Sequence, residues 1–257
     1  MNPQEKRHSP WLVFSSQIIV VGGLIGIWEY IMYIGWASAA LYGQPSGIWD
    51  ALGYGLIETT ELWQELGWTM LAVLIAFGIG AGVALIIGML FVLFPFIEKV
   101  MEPLLAALNA MPRIALAPLL ILWFGLGMGS KVAIGASLTF FIVLQSVTAG
   151  GRGVNQDHIT LSQTLGLKPL ESFWKITMPT AVPTVFAGLR LGLMYALLGV
   201  VAGEIIASEH GLGQRVAYLT SSFDINGVWA VVCVLSVVGM ALSWSLGALE
   251  NRLLRWQ

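Results

Sequence analysis

Six long apolar stretches, separated by shorter polar ones, account for most of this chain. A helix needs about 20 apolar residues to cross the hydrocarbon core of a bilayer. The stretches at 11–35, 69–94, 104–124, 132–148, 183–207 and 228–249 meet or approach that length. The pattern predicts an all-α polytopic membrane protein of six transmembrane helices, forming one domain over residues 1–257. The third stretch is interrupted by Pro112 and Pro118, which free backbone carbonyls that a neighbouring helix or a polar cavity must satisfy. The first, Trp11–Gly35, lies between Lys6-Arg7 and a cleavage-like Ala37-Ser38-Ala39. It is longer than the 7–15 residues of a signal-peptide core, so it reads as a span.

One polar segment is long and ordered. In TLSQTLGLKPLESFWKITMPTAVP (160–183), Leu161 and Leu165, then Leu170, Phe173, Trp174 and Ile176, recur at helical spacing on either side of Gly166-Leu167-Lys168-Pro169. This predicts two short amphipathic helices joined at a corner, with Pro169 in the first turn of the second. Pro179 is expected to end that helix and Pro183 to start the next span. With the N-terminus inside, the inner side holds Lys6, Arg7, Lys99, Arg113, Arg152, Lys168, Lys175, Arg190, Arg252 and Arg255, while the outer side holds Lys131 and Arg215. This excess of inner cations predicts both termini in the cytoplasm, and it makes 149–182 the longest cytoplasmic loop. The outer loop 36–68 is acidic and is expected to carry a short amphipathic helix on the membrane surface.

Composition agrees with a membrane protein. The 257 residues are 57% hydrophobic and 10% charged, against about 25% charged in soluble domains. The net charge of −2 argues neither for nor against nucleic acid, but no basic cluster of the kind that tracks phosphates is present, so no nucleic-acid partner is expected. A single cysteine, Cys233, rules out a disulfide within the chain, and His8, His158 and His210 are not at metal-ligand spacing. GLGMGSK (125–131) superficially resembles a phosphate loop, but Ser130 precedes Lys131 and no strand leads into it, so it reads as a turn. Glu204, inside the fifth span, is a candidate for the translocation pathway or a gate, weighed against a packing role. Glu29 in the first span is read as structural. Arg113 could attract an anion in the inner half of the pathway or snorkel to headgroups. Met111, Met194 and Tyr195 are further candidates for lining it. Gly22/Gly26, Gly78/Gly82 and Gly188/Gly192 each make a Gly-x-x-x-Gly face suited to close helix packing.

These segments resemble a known family. The membrane subunits of ABC importers carry Glu-Ala-Ala-x-x-x-Gly followed by Ile-x-Leu-Pro in a cytoplasmic loop. Here Gly166 and Ile176-Thr177-Met178-Pro179 stand at the matching places, while Thr160-Leu161-Ser162 replaces the first triplet. MPRIALAPLLILWFGLGMGSKV (111–132), GQPSGIWDAL (43–52), GLRLGL (188–193), AGEIIAS (202–208) and HGLGQRV (210–216) are similar to segments of the taurine/nitrate/sulfonate branch. The resemblance implies a type I ABC importer permease fold in a bacterial inner membrane and a second copy of this permease. It also implies two ABC ATPase subunits that bind ATP and Mg, and a periplasmic or lipid-anchored solute-binding protein. The chain itself would bind no cofactor and catalyse no reaction. Thr160, Leu161, Ser162, Gln163, Gly166 and Leu167 would form the coupling helix that docks on the ATPase.

Branch members carry small organic and inorganic anions, and close relatives carry vitamin precursors such as pyrimidines. An ion-coupled secondary transporter is the competing class; it usually shows internal repeats and several buried charges, and no repeat is visible here. An intramembrane enzyme would need a nucleophile–base pair or metal cluster within a span, and no histidine falls in any span.

Overall fold

The computed structural model describes residues 10–253, all helix and turn, so Lys6, Arg7, His8 and Arg255 lie outside the described residues. Helix α1 (Pro10–Tyr33) is followed by the short α2 (Ala39–Tyr42) and α3 (Pro45–Gly53), which runs into a π turn at Tyr54–Glu58. Then come α4 (Glu61–Leu93), α5 (Pro95–Ala110), a tight turn at Arg113–Leu116, α6 (Ala117–Phe124) and α7 (Met128–Arg152). The remainder is α8 (Gln156–Thr164), α9 (Pro169–Ser172), a π turn at Phe173–Thr177, α10 (Met178–Ile206), α11 (Leu212–Ser221) and α12 (Ile225–Leu253).

Among the described residues five helices are long and apolar enough to cross a membrane, and the bent pair α5–α6, taken as one span, brings the number to six. The predicted six therefore hold, with different bounds. The second span begins at Glu61 and the fourth at Met128, because the acidic and glycine-rich residues read as loop close the outer ends of helices. The third is broken by 75° at Met111-Pro112, where a proline that lacks an N–H follows a residue held extended. Pro179 does not end a helix, and Pro183 does not start one. The helix runs unbroken from Pro169 to Ile206. The π turn shifts the hydrogen bonding so that Met178 N–H pairs with the Phe173 carbonyl, and the register change absorbs the missing N–H of Pro179.

α4, α7 and α10 pack together as the centre of the molecule. One apolar cluster joins Val73 and Ala76 to Ala196 and Val200, and a second joins Ala84 and Phe91 to Val143, Val147 and Val185. Close approach depends on glycines. A Cβ at Gly199 would stand 2.8 Å from Gly135 Cα, and one at Gly135 would stand 3.1 Å from the Ala196 carbonyl. Of the three Gly-x-x-x-Gly faces, only Gly188/Gly192 packs this way, against Ser146 and Val143. Gly22, Gly26, Gly78 and Gly82 face open space, and Gly80 carries the α4–α7 contact instead. Helical spacing identifies a smooth face without saying which neighbour covers it.

The acidic outer loop does carry a short helix. α3 packs on α12, where Asn226 Oδ1 accepts the Gln44 N–H at 2.8 Å, and Glu29 ties its start to α1 by accepting hydrogen bonds from Gln44 Nε2 (2.7 Å), Ser46 N–H (3.1 Å) and Ser46 Oγ (3.0 Å). Three of the cations counted by side lie within helices or at a helix break. Arg113 sits at the break of the third span, Arg190 lies within α10 paired to Glu250, and Lys131 is buried in the first turn of α7.

Candidate functional site

The corner between α8 and α9 is built from backbone chemistry. α8 ends in a left-handed residue, Gly166 at φ +75°, and the Leu167 N–H returns to the Ser162 carbonyl at 3.0 Å. This is a Schellman stop, which glycine adopts without a Cβ penalty. Pro169 occupies the first turn of α9, and Glu171 accepts the Lys168 N–H at 3.2 Å. Ser162 is fully buried, with its Oγ 2.8 Å from Ser172 Oγ, so it clamps the two helices together. Phe173 and Val154, 5% and 3% exposed, root the corner in the bundle.

The predicted contact residues therefore divide. Thr160, Leu161 and Gly166 are exposed, Leu167 is half-buried, Ser162 faces inward, and the Gln163 side chain lies outside the described residues. Leu165, absent from the predicted set, is 71% exposed one turn from Leu161. Two leucines standing clear on the outside of a loop helix are a surface in need of a cover. Their helical spacing is visible in the sequence, which places Leu161 in the docking set and leaves Leu165 out of it.

At the opposite end of α10, Glu204 is 1% exposed and sits in a closed polar network. It accepts hydrogen bonds from Thr69 Oγ1 (2.9 Å) and Gly213 N–H (2.9 Å), and Lys131 Nζ lies 3.5 Å away. Thr69 Oγ1 in turn accepts the Leu212 N–H at 2.8 Å. Lys131 uses its other protons on Ser208 Oγ (2.8 Å) and the His210 carbonyl (2.7 Å). Glu65 accepts the Gly211 N–H and lies 3.6 Å from His210 Nδ1, while Trp68 stacks on the His210 ring. The glycines of HGLGQRV leave room for the carboxylate: a Cβ at Gly211 would overlap it, and one at Gly213 would stand 2.6 Å from Glu204 Cβ. The arrangement fastens segment 207–213, and with it α11, onto the ends of α4, α7 and α10 opposite the α8–α9 corner.

Thr69, Lys131 and Glu204 come from helices far apart in the sequence, and no spacing rule joins them. GLGMGSK is a turn followed by the start of α7, as its residue order requires. Met111 and Arg113 meet at the break in the third span. Arg113 Nη2 donates to Asn109 Oδ1 at 2.7 Å, and its guanidinium lies 4.0 Å over the Phe141 ring. Tyr195, 39% exposed, lies with Leu191 and Leu198 on an uncovered stripe of α10. No cluster of His, Cys, Asp or Glu suited to a metal ion occurs among the described residues.

Residues 75–255 match the family model described as binding-protein-dependent transport system inner membrane component. The chain is 32% identical to the formylaminopyrimidine transport permease protein ThiX of Halalkalibacterium halodurans, covering 91% of this chain and 92% of that one. It is 31% identical to the putative aliphatic sulfonates transport permease protein SsuC of Bacillus subtilis, over 99% and 91% of the two chains. It is 30% identical to the taurine transport system permease protein TauC of Escherichia coli, over 98% and 96%. Its fold is similar to a chain of the inward-facing MetNI methionine ABC transporter, with TM-score 0.60 at 15% identity, covering 80% of this chain and 94% of that one.

Proposed function

The chain belongs to the family of binding-protein-dependent transport system inner membrane components, and from that premise we propose that it forms half of the membrane pathway of an ATP-driven importer for a small organic anion. Two copies of the permease form the pathway. Two ATPase subunits, which hold ATP and Mg, dock on the cytoplasmic corners, and a periplasmic or lipid-anchored solute-binding protein delivers solute from outside. The likeness to SsuC and TauC along nearly the whole chain supports a sulfonate- or taurine-type solute. The equal likeness to ThiX supports a pyrimidine as the second reading. A ligand screen on the cognate binding protein separates the two.

One observation carries the coupling part of this reading. The helix from Pro169 to Ile206 is continuous over 38 residues, or roughly 57 Å at 1.5 Å per residue. It links the corner at Gly166 to the network at Glu204. A push on the corner therefore reaches the outer face through one rod, and alternating access follows if that rod tilts against α4 and α7. The corner offers Leu161, Leu165 and Gly166 as the surface that an ATPase would cover.

The test is Gly166→Arg in the assembled transporter reconstituted in liposomes. Permease is expected to reach the membrane normally, while transport and the stimulation of ATP hydrolysis by loaded binding protein disappear. Gly166→Asn, which tolerates a left-handed conformation, is expected to keep both. Full coupled transport by Gly166→Arg would refute the docking assignment.

A further inference from the structure

At the end of the bundle opposite the α8–α9 corner, a groove of about 500 Å³ opens between α1, α3, α4 and α12. Ile25, Leu52, Leu66 and Val237, one from each helix, wall it, and no charged side chain lines it among the described residues. Behind it α4 and α12 meet, where Leu62 and Val231 share an apolar cluster with Leu212 and Leu219 of α11. α3 closes its end, tied to α1 through Glu29 and to α12 through Asn226. The deepest wall residue on α12, Val238, stands thirteen residues from the helix start at Ile225, which is about 20 Å. That is half of a bilayer roughly 40–45 Å thick with its headgroups, so the groove runs the depth of one leaflet.

Such walls call for hydrocarbon. A hollow of this size left empty forfeits the dispersion contacts of its lining, and water gains nothing there because an apolar lining offers it no hydrogen bonds. A spanning helix does not match the length, since it needs about 20 residues and 30 Å to cross, whereas the groove runs only from α3 to mid-membrane. An acyl tail of one leaflet has that length. The headgroup end is marked as well. Trp36, Trp49 and Trp63 stand exposed around it, as tryptophans do at the membrane–water interface. Residues 28–68 carry Glu29, Asp50, Glu58, Glu61 and Glu65 and no lysine, arginine or histidine. Glu29 is taken up by Gln44 and Ser46, Glu61 by Arg215, and Glu65 by Gly211 and His210. Asp50, beside Trp49 on α3, and Glu58, at the end of the π turn that carries Leu56, are exposed and make no ion pair among the described residues.

We propose that the groove is a binding site for one phospholipid, whose tail fills the hollow and whose ammonium headgroup sits against Asp50 and Glu58. A phosphatidylethanolamine meets both demands. An anionic headgroup such as that of phosphatidylglycerol would bring its charge among five carboxylates, while Arg215 is already paired to Glu61 at 3.3 Å. The lipid gives α1 a second attachment to α4 and α12, where otherwise α1 is exposed from Trp11 to Ile27 and held at its far end through Glu29. The site goes beyond the importer reading and does not depend on which solute is carried.

Native mass spectrometry of the full-length permease tests the site, after purification in detergent with equal amounts of phosphatidylethanolamine and phosphatidylglycerol bearing identical tails. One retained lipid per chain is expected, with phosphatidylethanolamine favoured about fivefold, the upper range of what one exposed ion pair supplies. The double variant Asp50→Asn/Glu58→Gln should retain the two lipids equally. Cys233, the single cysteine of the chain, is exposed on the groove wall and locates the tail. Alkylating it with phenylmaleimide should fill the groove and remove the retained lipid, while Cys233→Ala treated with the same reagent keeps it. The reagent acts on protein that has already folded, so loss of lipid is not loss of fold. Absence of retained lipid, retention unmoved by alkylation of Cys233, or equal retention of the two headgroups by the unaltered chain overturns the proposal. Protection of Cys233 in a lipid-free dimer overturns it too, and makes a second copy the occupant. Transport and coupling are read separately at Gly166, so failure here is distinct from failure of the importer reading.

Discussion

Replacing Lys131 with methionine tests whether the network around Glu204 is a fastening. The substitution preserves the length of the side chain in a site that is 4% exposed, and it removes three contacts at once. Ser208 Oγ and the His210 carbonyl lose donors at 2.8 and 2.7 Å, and Glu204 loses its cation at 3.5 Å. Breaking one side of a buried ion pair costs about 3–5 kcal/mol, because the surviving charge stays buried. Glu204 keeps the Thr69 hydroxyl and the Gly213 N–H, which places Lys131→Met at the lower end, about 3 kcal/mol. Against a typical domain stability of about 5–15 kcal/mol, that is a large fraction. Thermal unfolding of the detergent-solubilised permease measures it, and limited proteolysis of 207–213 shows whether the loss is local. The decisive comparison is the double variant Lys131→Met/Glu204→Gln, which leaves no buried charge. It should be more stable than the sum of the single losses by about 1–3 kcal/mol. Strict additivity, or a Lys131→Met cost below about 1 kcal/mol, would refute the network as the fastener of α11.

Thr69→Val removes the donor to Glu204 and the acceptor of the Leu212 N–H, so it should cost about 1–3 kcal/mol by the same melt. Gly199→Leu should abolish accumulation of folded permease in the membrane, since a Cβ there already meets Gly135 Cα at 2.8 Å. The same change at Gly78, which faces open space, should be tolerated in a matched expression and size-exclusion assay.

Much of the molecule was legible in the chain. The spans declare themselves because lipid allows no unpaired backbone and demands about 20 apolar residues. The corner was equally readable, since a glycine placed past one short periodic run and a proline opening the next are local signals that need no tertiary partner. The errors came where a neighbour sets the outcome. Pro179 looks like a stop, yet the π turn before it lets the helix continue. Lys131 looks like a loop cation, yet Ser208, His210 and Glu204 close around it.

What the sequence determined by itself was the architecture of spans, the left-handed stop at Gly166 and the family pattern, because each depends on residues close together in the chain. Only the tertiary structure decided that Ser162 points inward while Leu165 stands outside, and that Gly80, unlike Gly78 or Gly82, meets α7. It likewise decided that Glu204, Thr69 and Lys131, 135 and 73 residues apart, share one site. Burial and pairing depend on which helix lies alongside, and the packing of α4, α7 and α10 settles that only once the whole chain has folded.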